Sequence, residues 1–121
     1  MNTTKEHNEK IAKMIFASVF PYYVAKVEKK GRTKKELFEV IYWLTNYSER
    51  DIEKIIENKT TFKDFFNNAN LNKNAHLITG TICGYRIEDI ENSITKQVRY
   101  LDKLIDELAK GKKLEKILRN S

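Results

Sequence analysis

The sequence predicts an all-α fold, a compact bundle of about five to seven helices with a long amphipathic helix at its C-terminal end. Apolar residues recur at steps of three and four residues between positions 87 and 108, which is the spacing of one face of an α-helix. They are Ile87, Ile90, Ile94, Val98, Leu101, Ile105 and Leu108. Gly111 follows this stripe and predicts where the helix ends. One proline and four glycines permit long helices, and residues 1–121 are expected to form a single domain.

The N-terminal part of the chain is expected to contain two helices that meet at Pro21. Residues 1–5 are polar and are expected to be loosely ordered. A first helical face is formed by Ile11, Met14, Ile15 and Val19. Pro21 suits the first position of a second helix, because a proline there gives up no hydrogen bond. The side chains that this second helix is expected to bury are Tyr23, Val24 and Val27.

Side-chain caps predict where the next three helices begin. Thr33 and Glu36 have the spacing of a capping box, in which each side chain bonds the backbone N–H of the other residue. Ser48 with Asp51 forms a second, weaker cap, and Thr61 is a third. The apolar residues after these caps are expected to face the core: Leu37, Val40, Ile41, Leu44, Ile52, Ile55, Ile56, Phe62, Phe65 and Phe66.

The segment before the long C-terminal helix is expected to contain the least regular backbone. Asparagine occupies five of the eight positions 67–74 and favours turns, so this segment is predicted to be the main loop. Residues 77–85 include β-branched side chains, but no partner strand is evident, so helix or irregular backbone is expected there. Ser93 is a candidate cap that would interrupt the long helix near Asn92. Residues 114–118 are predicted to form a short closing helix.

Composition favours a basic protein of a reducing compartment. The chain has 23 Lys and Arg against 17 Asp and Glu, a net charge of +6 that aids solubility and also attracts polyanions. Cys83 is the one cysteine, so no internal disulfide can form and a cytoplasmic location is expected. Residues 14–25 are apolar but shorter than the about 20 residues that span a bilayer, so no membrane contact is expected.

Positive charge is concentrated in two short segments, which we interpret as a candidate polyanion-binding surface if the fold brings them together. The residues are Lys29, Lys30, Arg32, Lys34, Lys35, Lys112, Lys113 and Lys116. Such a surface would bind nucleic acid by charge, with little reading of base sequence. Residues 33–58 resemble a helix-turn-helix, but the second helix is acidic and phosphates would repel it. Aromatic residues that could stack on bases, although most are expected in the core, are Tyr22, Tyr23, Tyr42, Trp43 and Tyr47.

A second candidate site, for a small enzyme or ligand-binding protein, lies around Cys83. His76, Tyr85 and Arg86 are near this cysteine in sequence, and a reactive thiol there could act as a nucleophile. A buried structural cysteine is the favoured interpretation, because free cysteine is among the most buried residue types. Two histidines and one cysteine are too few for a typical metal site, and no cofactor is predicted.

Acidic side chains in the last long helix are expected to form ion pairs on the surface rather than a catalytic pair of carboxylates. Residues three or four positions apart on a helix are neighbours, and each acidic residue has a basic residue at that spacing. The predicted pairs are Arg99–Asp102, Lys103–Glu107 and Asp106–Lys110.

Several segments resemble one protein family: FASVFPYYVAK at 16–26, KKGRTK at 29–34, WLT at 43–45, LITG at 77–80, ICG at 82–84 and RYLDKLIDELAKG at 99–111. Together they resemble a family of small bacterial proteins catalogued as a domain of unknown function, number twenty-two hundred, over residues 14–119. The chain departs from that family's pattern at Asn46, where glycine is frequent, and near Ser93, where proline is frequent. The resemblance implies a stand-alone bacterial cytoplasmic protein and assigns no catalytic or binding residue.

These observations predict a non-enzymatic cytoplasmic module that interacts with protein or nucleic acid. The alternative is a small enzyme or ligand-binding protein whose site includes His76, Cys83, Tyr85 and Arg86. Candidate partners are a protein, weakly bound nucleic acid or a second copy of the chain. The sequence leaves open whether the two basic segments form one surface.

Overall fold

The computed structural model describes residues 3–120, and within them it contains seven α-helices and a two-stranded sheet. The helices are α1 (Lys5–Lys13), α2 (Phe16–Lys29), α3 (Lys34–Thr45), α4 (Glu49–Glu57), α5 (Phe62–Asn67), α6 (Ser93–Ala109) and α7 (Leu114–Ile117). The strands are β1 (Thr81–Ile82) and β2 (Tyr85–Arg86). The predicted helical class and the long C-terminal helix are therefore confirmed.

Helix α6 is the centre of the fold and contacts α1, α2, α3, α5 and α7. Its predicted stripe is buried at Val98, Leu101, Ile105 and Leu108, whereas Ile94 in the first turn is half-buried. Burial of such side chains stabilises the fold by about 1.5–3 kcal/mol each. The buried side chains of all these helices form one contiguous core around α6.

The three caps that the sequence predicts are present. The Thr33 hydroxyl accepts a bond from the Glu36 N–H at 3.1 Å, and the Glu36 carboxylate accepts one from the Thr33 N–H at 3.0 Å. Ser48 and Asp51 form the same reciprocal box before α4, which is a stronger cap than the sequence indicated. Thr61 caps α5. Of the apolar residues predicted to face the core, Ile55 and Ile56 are half-buried and the other eight are buried.

The predicted helix boundary at Pro21 is wrong, because Pro21 lies inside α2. The break occurs earlier, at residues 14 and 15, where the chain bonds to a distant segment. The Phe62 N–H donates to the Met14 carbonyl at 2.8 Å, and the Phe16 N–H donates to the Thr60 carbonyl at 2.9 Å. These bonds satisfy the backbone groups at the gap between α1 and α2. Pro21, which has no N–H, costs α2 one backbone hydrogen bond, and the helix continues through it.

The structure describes residues 3–5 of the segment that is expected to be loosely ordered. The Thr4 hydroxyl accepts a bond from the His7 N–H at 3.1 Å and caps α1, which begins at Lys5. Residues 1 and 2 lie outside the described residues. The cap matters for the site described below, because it fixes the first turn of the helix that carries His7.

The long apolar stripe does not belong to one continuous helix. Residues Ile87–Asp89 form a 3₁₀ turn, and Ile90 is extended, although both isoleucines are buried as the pattern predicts. Helix α6 begins at Ser93, which confirms the predicted interruption. The cap is Asn92 rather than Ser93, because the Asn92 side-chain oxygen accepts the Thr95 N–H at 2.9 Å.

The segment between α5 and α6 contains a main loop and a hairpin. Residues 68–74 lie in no helix or strand, whereas Asn67 of the predicted main loop is the last residue of α5. In the segment 77–85, Leu77 ends a 3₁₀ turn and residues 78–80 are irregular, as expected. The expected absence of a strand is wrong, because β1 pairs with β2. The two-residue turn has φ of 53° at Cys83 and 83° at Gly84, the left-handed backbone that tight hairpins require. A cysteine at the first turn position hides this signal, since asparagine or aspartate is usual there.

Candidate functional site

The fold brings the two basic segments side by side. The Arg32 Nη1 atom donates to the Leu108 carbonyl at 3.1 Å and to the Lys112 carbonyl at 2.7 Å. These bonds join the turn between α2 and α3 to the turn between α6 and α7, which lies about 80 residues further along the chain. Residues 29–35 and 110–116 therefore form one surface, which we call the basic surface.

Arg32 stabilises the fold at the centre of the basic surface. Its Nε and Nη2 atoms donate to the Glu36 carboxylate at 3.1 and 2.7 Å. The hydrogen bond from Arg32, followed by that from the Thr33 backbone, lowers the pKa of Glu36 from 4.5 to about 2. Its Nη1 atom also donates to the carbonyls of Leu108 and Lys112, so the Arg32 guanidinium is engaged by contacts within the chain.

The remaining cations of the basic surface differ in their freedom to meet a ligand. The Lys34 Nζ atom lies 5.9 Å from the centre of the Phe20 ring and 5.8 Å from that of Phe38. The Lys112 Nζ atom is 3.7 Å from the Glu107 carboxylate. Within residues 3–120, the exposed lysines of this surface that make neither an ion pair nor a contact with an aromatic ring are Lys29, Lys30, Lys35, Lys113 and Lys116.

An open groove of about 860 Å³ begins beside the basic surface and runs along α3. Its aromatic and apolar lining consists of Phe38, Tyr42, Trp43, Leu71 and Leu118, and we call it the α3 groove. Lys35 lies at its basic end and Asn46 at the other end of α3. Lys35, Phe38, Tyr42 and Asn46 follow one another at steps of three or four positions, so they share the outward face of α3.

Hydrogen bonds hold the walls of the α3 groove in place. The Trp43 indole N–H donates to the Asn120 side chain at 2.7 Å, and the Asn72 amide donates to the Trp43 carbonyl at 3.0 Å. The Asn74 amide donates to the Arg119 carbonyl at 2.8 Å. The main loop and the C-terminal segment are thus both tied to α3, and the groove is formed before any ligand arrives.

The aromatic residues that the sequence offered for base stacking separate into two groups. Tyr23 is buried, and the Tyr47 hydroxyl donates to the Phe65 carbonyl at 2.6 Å, so both belong to the structure of the core. Tyr42 is 54% exposed inside the groove, and Trp43 beside it is half-buried. Tyr22 is 75% exposed but lies on α2, outside the groove.

The alternative site around Cys83 is not assembled. His76 is exposed and its Nδ1 atom lies 2.9 Å from the Lys73 carbonyl, while Arg86 pairs with acidic residues of its own segment. Within residues 3–120, no hydrogen bond, ion pair or ring contact joins His76 or Arg86 to Cys83. Tyr85 instead packs against the His7 ring, at 5.8 Å between ring centres.

The interpretation of Cys83 as a buried structural residue is wrong, because it is exposed at the tip of the hairpin. We expect its thiol to react with a disulfide reagent in the native protein at a rate within about tenfold of that in urea, since access is open in both states. Stopped-flow absorbance with Ellman's reagent measures both rates. Protection by several orders of magnitude in the native state would contradict the exposed position.

A second pocket, of about 340 Å³, lies between α1, α2 and α6, and we call it the α1–α6 pocket. Its polar lining consists of His7, Lys10, Tyr23, Arg99 and Asp102. The predicted Arg99–Asp102 pair is confirmed at 2.8 Å, but its side chains are only 13% and 17% exposed rather than on the surface. Sequence reasoning did not find this pocket, because His7 and Arg99 lie 92 residues apart.

The other two predicted ion pairs of α6 have different outcomes. Asp106 pairs with Lys110 at 3.0 Å, as predicted. The predicted Lys103–Glu107 pair is wrong, because the Lys103 ammonium donates to the Thr81 carbonyl at 3.2 Å instead. Glu107 is bound by the C-terminal segment, as discussed below.

Neither the helices nor the acidic and metal-binding side chains of residues 3–120 have the features of a membrane span or a metal site. Across residues 3–120, every helix is too short or too polar to cross a bilayer. In the same part of the chain, no group of three or more His, Cys, Asp and Glu side chains has an arrangement that could hold a metal ion.

Comparison with known proteins places these features in a family. The family model for an uncharacterized protein conserved in bacteria, DUF2200, matches residues 10–119, which confirms the predicted resemblance. The crystal structure of the uncharacterized protein SP1917 is similar to this chain, with 40% sequence identity, a TM-score of 0.84 and 91% of each chain covered. The search of curated proteins found no match.

Proposed function

The chain belongs to the DUF2200 family of bacterial proteins, and we propose that it is a non-enzymatic cytoplasmic module that binds single-stranded nucleic acid. The basic surface attracts the phosphates, and the aromatic side chains of the α3 groove stack on the bases. The observation that carries this proposal is the course of α3, whose outward face leads from Lys35 on the basic surface to Tyr42 and Trp43 in the groove.

The charge distribution supports separate roles for the basic surface, which would bind phosphates, and the α3 groove, which would bind bases. The α3 groove contains Lys35 and Lys73 but also Glu39 and Glu49, so its formal charges cancel. A neutral aromatic groove suits bases, which are uncharged, whereas the adjacent basic surface suits the backbone. Base–aromatic stacking is worth about 1–3 kcal/mol per base and accepts every base, so weak sequence preference is expected.

Single-stranded nucleic acid fits better than duplex DNA. The acidic character of α4 opposes its insertion into a major groove, because Glu49, Asp51, Glu53 and Glu57 would meet phosphates. A flexible single strand can lay its backbone on one turn and its bases in the neighbouring groove. A peptide in the α3 groove is the competing outcome, and the experiment below separates the two.

Binding can be followed with the natural fluorescence of Trp43, which is the one tryptophan of the chain and lies in the groove. We expect oligouridine and oligothymidine to quench this emission at low salt, and the affinity to fall as salt rises. An unchanged emission together with no binding by fluorescence anisotropy at low salt would refute nucleic acid as the ligand. Binding of apolar peptides alone would then favour a protein partner.

Charge reversal tests the basic surface with a matched control. The double variant Lys29→Glu/Lys30→Glu is expected to weaken oligouridine binding and to reduce the salt slope by about 1.4, at about 0.7 per lost phosphate contact. Arg32 is left in place because of its structural bonds. The control Lys5→Glu/Lys63→Glu changes the net charge by the same amount but lies at a separate pocket between α1 and α5. Equal losses in both variants would show that net charge alone, rather than this surface, attracts the strand.

A second matched pair tests stacking. Tyr42→Ala removes the exposed ring of the groove, whereas Tyr22→Ala removes a more exposed ring on α2. We expect only Tyr42→Ala to weaken binding, by an amount equivalent to about 1–3 kcal/mol per lost stack. Equal affinity of the two variants would exclude the groove as the base-binding region.

A further inference from the structure

The Arg99 side chain in the α1–α6 pocket uses only part of its hydrogen-bonding capacity. Its Nη1 atom donates to the Asp102 Oδ2 atom at 2.8 Å, and its Nη2 atom lies 3.4 Å from the His7 Nε2 atom. Its Nε atom is buried and has no hydrogen-bond partner among residues 3–120. A buried donor without an acceptor is unfavourable, and more so when it belongs to a charged group.

The Asp102 carboxylate holds the guanidinium at Nη1, and the buried Nε–H on its other edge has no acceptor among residues 3–120. Asp102 engages Nη1, and its second oxygen accepts the Tyr23 hydroxyl at 3.1 Å, so both carboxylate oxygens are occupied. Burial, and then the neighbouring Asp102 charge, raise the pKa of Tyr23, which keeps the phenol protonated as a donor. The Nε and Nη2 atoms form the side of an arginine fork that matches the two oxygens of a carboxylate.

The charge and shape of the pocket define the class of ligand. The charged side chains of the lining are Lys10, Arg99 and Asp102, which together carry one net positive charge. Apart from His7 and Tyr23, the rest of the lining is apolar and consists of Ile11, Met14, Val19, Phe62 and Val98. Met14 is partly exposed and has a flexible side chain that can adapt to an occupant. A volume of about 340 Å³ suits a small molecule rather than a peptide.

We propose that the α1–α6 pocket binds a small organic monocarboxylate, with Arg99 holding the carboxylate group and the apolar lining covering the hydrocarbon part. His7 contributes its Nε2 atom beside the same edge of Arg99. The site is separate from the α3 groove and shares no lining residue with it. The inference is therefore independent of nucleic acid binding.

The test uses benzoate and butyrate as probes, with benzamide and butyramide as neutral controls of the same shape. Binding is measured by calorimetry on the full chain, together with the NMR signal of the Arg99 Nε–H group. We expect saturable binding of at least one carboxylate, no binding of its amide, and a downfield shift of the Nε–H signal as it gains an acceptor. Absence of saturable binding by both carboxylates, or equal binding of the amides, would overturn the proposal.

The conservative variant Arg99→Lys keeps a positive charge for Asp102 but removes the fork. We expect it to remain folded, to lack the Nε–H signal, and to bind the carboxylate about tenfold or more weakly, since a charge-assisted bond is lost. The control Arg50→Lys makes the same exchange at an exposed position of α4, outside both regions, and should bind normally. Unchanged affinity in a folded Arg99→Lys protein would show that the anion binds elsewhere.

Discussion

Replacing Leu101 with aspartate is expected to unfold the protein at room temperature. Leu101 is fully buried in the middle of α6, the helix that contacts five others. The change removes about 1.5–3 kcal/mol of apolar burial and forces a carboxylate into a site without a partner, which costs several kcal/mol more. The sum reaches the total stability of a typical small domain, about 5–15 kcal/mol. Far-ultraviolet circular dichroism and urea titration measure the loss.

A matched control places the same aspartate elsewhere on α6. Ser93→Asp lies in the exposed first turn, where the helix dipole favours a negative charge, so stability should be unchanged or slightly raised. A folded Leu101→Asp protein with a melting temperature close to that of the unmodified chain would contradict the position of α6 at the centre of the core.

Local rules account for the parts of the fold that the sequence predicts well. A capping box such as Thr33 with Glu36 is decided by residues three positions apart, so the sequence carries all the information needed. The same holds for the stripe of Val98, Leu101 and Ile105, which needs only the helix period. The start of α3 that the capping box predicts agrees with the structure.

The errors occur where a distant segment decides the local structure. The gap between α1 and α2 exists because Met14 and Phe16 bond to residues 60 and 62. No feature of residues 11–21 shows that pairing, and Pro21 is a stronger local signal for a break. In the hairpin the error has another cause, since its turn uses Cys83 with Gly84 in place of the usual asparagine or aspartate.

The candidate sites show the same limit. The sequence shows where the basic residues lie along the chain, but it does not show that Arg32 donates to the carbonyls of Leu108 and Lys112. The α1–α6 pocket needs His7 from the first helix and Arg99 from the sixth, and neither has a local motif around it. Spacing rules find sites whose ligands share one element, whereas this pocket is assembled by tertiary packing.

The bond between the C-terminal segment and α6 is a non-local contact with a large expected effect. Glu107 is 8% exposed, and the Arg119 guanidinium donates two hydrogen bonds of 2.8 Å to it, one to each carboxylate oxygen. Among residues 3–120, the Lys112 ammonium is the other cation paired with Glu107, at 3.7 Å, and is itself 43% exposed. Breaking a bidentate pair in a largely buried setting therefore costs much more than breaking a pair on the surface.

Removing only Arg119 is therefore expected to destabilise the protein strongly. In Arg119→Ala, Glu107 remains buried with the more distant Lys112, and breaking one side of a buried pair costs about 3–5 kcal/mol. The loss would appear in urea titration. A change in Trp43 emission should accompany it, because Asn120 next to Arg119 accepts the Trp43 indole bond.

The double variant Glu107→Leu/Arg119→Leu distinguishes two causes of the instability. One is the loss of the Arg119–Glu107 bonds, and the other is the buried Glu107 carboxylate left without its main partner. If the stranded Glu107 carboxylate causes the instability, replacing both partners with apolar side chains should recover most of it, since a buried pair adds little net stability over well-packed hydrophobic residues. Lys112 is half-exposed and regains water when Glu107 is removed. A double variant as unstable as Arg119→Ala would instead assign the loss to the attachment of the C-terminal segment through the Arg119 bonds themselves.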